Sequence, residues 1–129
     1  MIIIKTPKLK FSDLGYIRHD GDAVEMELFL AGRSIKKIRI NHLVCVDEGC
    51  MFKSTFNENF LIPAYPTQLL QNILLAQAIY DGKNRLRTDN GFEQRIQSES
   101  VDIVYRVSRK ETYFKDKQNR IIFKIKDIK

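Results

Sequence analysis

Apolar and polar residues alternate along most of this chain with a period of two, which is typical of β-strands. The clearest alternation covers residues 24–30, where Glu25 and Glu27 separate the apolar positions. A second alternating segment, residues 37–41, follows the turn at 31–34. Successive side chains of a strand point to opposite faces, so the two segments predict an antiparallel hairpin with one apolar face. Its inward positions are Val24, Met26, Leu28, Leu30, Ile38 and Ile40.

Further strands are predicted on both sides of the middle of the chain. Asp20-Gly21 and Asn90-Gly91 predict tight hairpin turns, because glycine accepts a positive φ without steric cost. Asp47-Glu48-Gly49 predicts a third turn, and the polar residues 115–119 predict a fourth. The strands expected around these turns are 14–18, 43–46, 51–53, 92–96, 103–107, 113–114 and 121–126. The inward positions of 103–107 are Ile103, Tyr105 and Val107, and those of 121–126 are Ile121, Phe123 and Ile125.

One helix is predicted over residues 66–80. Pro66 suits the first helical position, where its missing N–H would have no partner in any case. Gly82 is well placed to end the helix. Residues 54–65 contain Pro63 and two asparagines and predict irregular chain. The apolar face of the helix, at helical spacing, consists of Leu69, Leu70, Ile73 and Leu74, with Ala76 or Gln77 and then Tyr80.

The order strands, helix, strands predicts an α+β fold. We expect a strongly curved antiparallel β-sheet with one main α-helix against its concave face. At 129 residues the chain is long enough for one domain, residues 1–129, with a substantial core. No stretch of the sequence is long and apolar enough to span a bilayer.

The charge pattern favours an ordinary solvated surface. The net charge is +6, but basic and acidic residues are interleaved and there is no run of five cations. Basic residues near Tyr113, Phe114 and Phe123 suggest a single-strand nucleic-acid binder. Phe123 is in phase with Ile121 and Ile125, however, so we expect it to point inward and expect no nucleic-acid partner. The basic residues concerned are Lys115, Lys117, Arg120, Lys124 and Lys126.

Two cysteines flank one predicted turn. Cys45 and Cys50 are consistent with a disulfide, which requires an oxidising compartment. Two free thiols are a second interpretation. A metal site with His42 is a third, although structural zinc sites need four ligands. An even number of cysteines beside one turn favours the disulfide.

Motifs for catalysis are absent from the sequence. It contains no glycine-rich phosphate loop, no G-x-S-x-G elbow and no H-E-x-x-H pair. His19, Asp20 and Asp22 are adjacent, but they fit a hydrophilic hairpin tip better than an acid–base cluster. We therefore expect no enzymatic activity, no cofactor and no catalytic metal.

The second half of the chain resembles the LolA/LolB lipoprotein-localisation family. The resemblance rests on the leucine-rich segment 69–74, on strands containing Tyr105 and Val107, and on the final segment 120–126, in which an arginine precedes alternating apolar residues and lysines. It covers about residues 66–129. It implies a half-barrel closed by helices around a hydrophobic cavity that receives acyl chains of lipoproteins.

Several expectations follow from this resemblance. The protein would be periplasmic and would bind a lipid or acyl chain without covalent chemistry or cofactor, with a periplasmic carrier protein as a partner. It would be held at the outer membrane by a lipid anchor, and neither that anchor nor a signal segment is in this chain. The residues expected to line the cavity are Met26, Leu28, Leu30, Ile38, Ile40, Leu70, Ile73, Leu74, Ile103, Tyr105, Phe123 and Ile125.

Two other functions remain open. The chain can be a non-catalytic interaction or assembly module of the cell envelope, with its helix filling the sheet and no cavity. A small basic nucleic-acid-binding protein is a weaker alternative.

Overall fold

The computed structural model describes residues 1–47 and 49–127, and Glu48 of the predicted turn 47–49 lies outside them. Within these residues every strand pair is antiparallel. In chain order the elements are β1 (Ile2–Lys5), β2 (Lys10–Asp13), β3 (Gly15–Asp20), β4 (Ala23–Leu30), β5 (Arg33–Ile40), β6 (Val44–Val46), β7 (Gly49–Met51), α1 (Lys53–Phe60), α2 (Leu69–Leu74), a 3-10 turn (Tyr80–Gly82), β8 (Arg85–Thr88), β9 (Gly91–Gln97), β10 (Asp102–Val107), β11 (Glu111–Asp116) and β12 (Ile121–Lys126).

The strands form two open sheets, where the sequence predicted one. A seven-stranded sheet has the order β2-β1-β12-β11-β10-β9-β8, and a five-stranded sheet has the order β3-β4-β5-β6-β7. The predicted α+β class and the antiparallel pairing are confirmed. Three strands were not predicted, and one of them, β1, joins the two ends of the chain by pairing Ile2 with Ile125. The missed strands are β1, β2 and β8.

The two sheets meet at a corner made by a single residue. Only Leu14 separates β2 from β3, and its carbonyl oxygen accepts a hydrogen bond from the Phe29 N–H at 3.0 Å. Gly15 follows at a place where β3 approaches β4 closely, because a Cβ there would lie 2.9 Å from the Glu27 carbonyl oxygen. The chain thus passes from one sheet into the next within one residue, where the sequence predicted a single curved sheet.

Helix α2 is much shorter than the predicted helix 66–80. It ends at Leu74, and Ala76 adopts a left-handed conformation with φ of 55°. The Gln77 N–H donates to the Asn72 carbonyl at 2.8 Å, and the Ala76 N–H donates to the Ile73 carbonyl at 3.1 Å. These two bonds form a Schellman C-cap, a motif that usually has glycine at the left-handed position. The sequence has alanine there, so the end of the helix gave no glycine signal.

Helix α1 occupies part of the segment predicted to be irregular. Asn57 was taken to interrupt regular structure, but it is buried inside α1. Its side-chain amide donates to the Pro66 carbonyl at 3.1 Å, which ties the loop after α1 back to the helix. None of the helices in the described residues is long and apolar enough to cross a membrane.

One hydrophobic core lies between the two sheets and the helices. Buried residues of both sheets and of α1 and α2 belong to the same cluster. The seven-stranded sheet contributes Tyr105 and Phe114, the five-stranded sheet contributes Met26 and Leu28, and α2 contributes Ile73. The helices therefore cover the apolar faces of both sheets.

A substitution of Gly91 tests the pairing of β9 with β10. A Cβ at this position would collide with the Val107 carbonyl group, whose carbon would be only 2.7 Å away. Backbone atoms cannot move aside without disturbing the sheet, so Gly91→Ala should lower the free energy of unfolding by about 1–3 kcal/mol. Urea denaturation measures this.

Gly49→Ala is the matched control. Gly49 is also the first residue of a strand, and a Cβ there would have no atom within 4 Å. Its expected effect is below about 0.5 kcal/mol. Equal stabilities of the two variants would contradict the register of β9 and β10.

Candidate functional site

Most of the residues expected to line a ligand cavity lie in the packed core. Ten of the twelve are buried, and they contact one another or the helices within the single hydrophobic cluster. None of these ten lines any of five surface clefts in the described part of the chain. The ten are Met26, Leu28, Ile38, Ile40, Leu70, Ile73, Leu74, Ile103, Tyr105 and Phe123.

The other two residues lie elsewhere. The inward position predicted for Leu30 is wrong, because its surface is 56% exposed. Leu30 is the last residue of β4, past a register shift between Leu28 and Phe29, and the end of this hairpin extends beyond the core. Ile125 is partly buried and lines a surface cleft of about 400 Å³ together with Leu14 and Tyr16.

Residues 53–82, which we call the inserted segment, fill the space between the sheets. They run from the start of α1 to the 3-10 turn and connect β7 to β8. Side chains of this segment, among them Leu69 and Ile79, are completely buried. The apolar faces of the two sheets are thus covered by a part of the chain itself.

Gln94 fixes the end of the inserted segment. This fully buried side chain of β9 accepts a hydrogen bond from the Ile79 N–H at 2.8 Å. Its amide group donates to the carbonyl oxygens of Ile79 at 2.9 Å and Lys83 at 2.7 Å. A buried amide is stable only when such bonds are made, so Gln94 holds the loop after α2 in one position. Gln94 lies in the predicted strand 92–96, in phase with Phe92 and Ile96, and the sequence gave no partner for its amide.

Tyr65 and Asp116 form a second buried anchor. The Tyr65 hydroxyl donates to the Asp116 carboxylate at 2.6 Å. The same carboxylate accepts bonds from the backbone N–H groups of Asp102 at 3.1 Å and Gln118 at 3.1 Å, and from the Asn119 side chain at 2.7 Å. Burial and the hydrogen bond to Asp116 raise the pKa of the Tyr65 hydroxyl well above its usual range. Asp116 therefore joins the inserted segment, the start of β10 and the turn after β11.

Polar contacts also hold the exposed edge of α2. Lys53 Nζ donates to the Gln68 side chain at 2.7 Å and to the Gln71 side chain at 2.9 Å. Gln71 in turn donates to the Asp22 carbonyl oxygen at 3.1 Å. Partial burial lowers the pKa of the Lys53 ammonium group. These bonds link α1, α2 and the β3–β4 turn at the protein surface.

The disulfide between Cys45 and Cys50 is confirmed. The two residues lie opposite each other in β6 and β7. Both sulfur atoms are used in this bond, so the alternatives of free thiols and of a metal site with His42 are wrong. Among the described residues, no group of three His, Cys, Asp or Glu side chains is arranged to hold a metal ion. A disulfide is consistent with an extracellular or periplasmic location.

Phe123 points inward, as predicted, and so does Phe114. Phe114 and Phe123 are buried, and their rings pack 5.9 Å apart in the core. The basic residues separate into two groups: Lys124 forms an ion pair with Glu111, whereas Lys115, Lys117 and Arg120 line a cleft. Lys5 and Lys10 line the same cleft, which the sequence did not reveal because β1 and β2 were not predicted as strands.

The buried tyrosine hydroxyls predict how stability depends on pH. A group whose pKa is raised on folding stabilises the protein below its unfolded pKa, about 10 for tyrosine, and this contribution is lost as the pH rises above that value. Tyr65→Phe should therefore reduce the loss of stability above pH 10 by up to about 1.4 kcal/mol per pH unit. At neutral pH the same variant should be less stable by about 1–3 kcal/mol, because the bond to Asp116 is missing.

Chemical denaturation of the wild type and of Tyr65→Phe at several pH values measures this difference in stability. The pH values should run from about 8 to about 11, a range that includes the tyrosine pKa of the unfolded chain. Tyr113→Phe is the control, since this tyrosine lies on the outer face of β11 and its ring contacts Arg106. Parallel pH profiles for the wild type and Tyr65→Phe would contradict the buried Tyr65–Asp116 bond.

Comparisons of the chain with protein-family models, with curated proteins and with solved structures find no match, so a function is inferred from the geometry of the chain itself.

Proposed function

We propose that this chain is a non-catalytic binding domain of the cell envelope that accepts an acyl chain or another hydrophobic ligand between its two sheets. The ligand takes the place of α2, which moves aside with part of the inserted segment. The observation that supports the proposal most strongly is the large apolar surface of two open sheets that only short helices cover.

The helices cannot maintain this arrangement on their own. Helix α2 has six residues and α1 has eight, and isolated helices shorter than about 12 residues are marginal in water. Neither helix has a side-chain N-cap. Their stability comes from the packing of their apolar side chains against the sheets. A segment held in this way opens more readily than a long helix or a central strand.

The free energy gained by burying the apolar side chains of α2 is comparable with that gained by burying an acyl chain. Burying the four apolar side chains of α2 contributes roughly 6–12 kcal/mol, at about 1.5–3 kcal/mol for each, and this is an upper estimate. An acyl chain of about twelve carbons offers roughly 10 kcal/mol when its methylene groups leave water. A hydrocarbon ligand can therefore compensate for the loss of α2 from the interior. The four side chains are Leu69, Leu70, Ile73 and Leu74.

The proposed location follows from the disulfide and from the resemblance to the lipoprotein-localisation family. Cys45 and Cys50 are paired, which suits the periplasm. In this proposal the ligand is the acyl part of a lipoprotein, a periplasmic carrier protein delivers it, and a lipid anchor outside this chain holds the domain at the outer membrane.

A second candidate is an interaction module without a ligand. The interior is packed, and several large apolar side chains are exposed instead, among them Phe52 and Leu86, each 70% exposed. In that case the exposed residues contact another protein and the inserted segment stays in place. This candidate predicts no binding of fatty acids.

The two candidates differ in how they respond to a loosened α2. Leu69 is completely buried, and Leu69→Ala should destabilise the closed form by about 2–5 kcal/mol. If the ligand displaces α2, the free energy needed to move α2 aside is smaller in this variant. Its affinity for a fluorescent fatty acid should then be at least about tenfold higher than that of the wild type. Fluorescence titration of the wild type and the variant measures this.

Leu86→Ala is the matched control, because it removes the same atoms from an exposed site on β8 and should leave the affinity unchanged. Gln71→Ala, which removes the bonds to Lys53 and to the Asp22 carbonyl, serves as a milder second variant if Leu69→Ala does not fold. Absence of fatty-acid binding by the folded wild type and by both loosened variants would exclude the proposal.

A further inference from the structure

Three lysines form a row on the outer face of the seven-stranded sheet. Lys10 of β2 lies opposite Lys5 of β1, Lys5 lies opposite Ile122 of β12, and Ile122 lies opposite Lys115 of β11. This face is the reverse of the one that buries Ile4. The pair Lys5 and Lys10 is more than one hundred residues from the pair Lys115 and Ile122 in the sequence, and the strand register places all four side by side.

The row is one wall of a cleft of about 600 Å³. The loop after β1 contributes Thr6 and Pro7, and the turn after β11 contributes Lys117 and Arg120. Five cationic side chains thus surround a concave surface with Ile122 at its centre. The cleft is separate from the interior that the proposed function uses.

The charges of this cleft have no counterpart within the described part of the protein. None of the five cations belongs to an ion pair among residues 1–47 and 49–127. The cleft contains one acidic residue, Asp116, but its buried carboxylate already accepts several hydrogen bonds. Some outward-facing strand cations elsewhere do have acidic partners: Arg18 lies 2.8 Å from Glu27 and Lys124 lies 3.8 Å from Glu111.

This arrangement costs stability. Like charges directly opposite each other on neighbouring strands destabilise a sheet, and Lys5 and Lys10 form such a pair. An anion in the cleft would remove the repulsion. Lysine is a common phosphate ligand, and several lysines can share one phosphate group because each acts as a mobile point charge.

The surroundings favour a lipid phosphate over nucleic acid. Proteins that bind single strands without sequence preference stack the bases on exposed aromatic side chains. The cleft has no aromatic residue in its lining, and Phe114 and Phe123 of the adjacent strands are buried in the core. Ile122 and the apolar stems of the lysines instead offer contact to the hydrocarbon part of a lipid. We propose that this cleft binds the phosphate-bearing headgroup of an anionic lipid at a membrane surface.

Co-sedimentation with vesicles of phosphatidylglycerol tests this proposal. The wild type should bind these vesicles and should not bind vesicles of phosphatidylcholine. The triple variant Lys5→Gln, Lys10→Gln, Lys115→Gln should bind about a hundredfold more weakly, which is the effect of three cations near an anionic surface. Circular dichroism verifies that the variant is folded, and fatty-acid binding by the interior should be unchanged in it.

A second triple variant, Arg33→Gln, Lys83→Gln, Lys110→Gln, is the matched control. It removes three exposed cations from other parts of the surface, so both variants have the same net charge. Its binding to the vesicles should stay within about threefold of the wild type. An equal loss of vesicle affinity in the two triple variants would mean that net charge alone attracts the protein to the vesicles. The cleft would then have no special role.

Two soluble probes complete the experiment. Inorganic phosphate at millimolar concentration should not displace the protein from the vesicles, because it lacks the apolar contact and the dense charge of a membrane. Displacement by phosphate would assign the cleft to a small soluble anion. A single-stranded oligonucleotide should bind the wild type no more tightly than it binds the triple variant of the cleft lysines. Oligonucleotide binding that depends on the cleft, or absence of vesicle binding by the wild type, would overturn the proposal.

Discussion

The structure depends on covering two apolar sheet faces at the same time. The faces belong to two sheets that the chain connects through Leu14, and both direct their buried residues into one core. The hydrophobic effect requires that something cover these faces, and the inserted segment does so with two short helices. The order of the strands and the position of the segment between β7 and β8 follow from this arrangement.

The polar anchors decide how the inserted segment is held. Its apolar side chains supply most of the free energy of packing, but such contacts are not directional. Gln94 and the pair Tyr65–Asp116 fix the position of the segment, because hydrogen bonds are directional. Any other position would leave a buried polar group without a partner. The anchors lie before and after α2, at Tyr65 and Ile79. Helix α2 itself is held by apolar contacts and by the bonds of Gln71 at the surface, and in the proposed function it is the part that moves aside.

Much of the interior could be predicted from the sequence, because alternation in an antiparallel strand directly gives the side that each residue faces. Tyr105 and Phe123 are buried as expected, and the disulfide was favoured for its position beside a turn. The end of α2 was missed because Ala76 occupies a position usually taken by glycine. The basic cleft was missed for a different reason: it depends on the pairing of β1 with β12, which are more than one hundred residues apart, and local patterns contain no information about such pairing.

The central claim is that a hydrophobic ligand replaces α2 in the interior. Amide hydrogen exchange of residues 69–75, measured with and without dodecanoate, tests it most directly. If the ligand displaces the helix, these amides should exchange faster in its presence, since a six-residue helix removed from its packing surface does not keep its hydrogen bonds. Unchanged or slower exchange of these amides at saturating dodecanoate would contradict the claim.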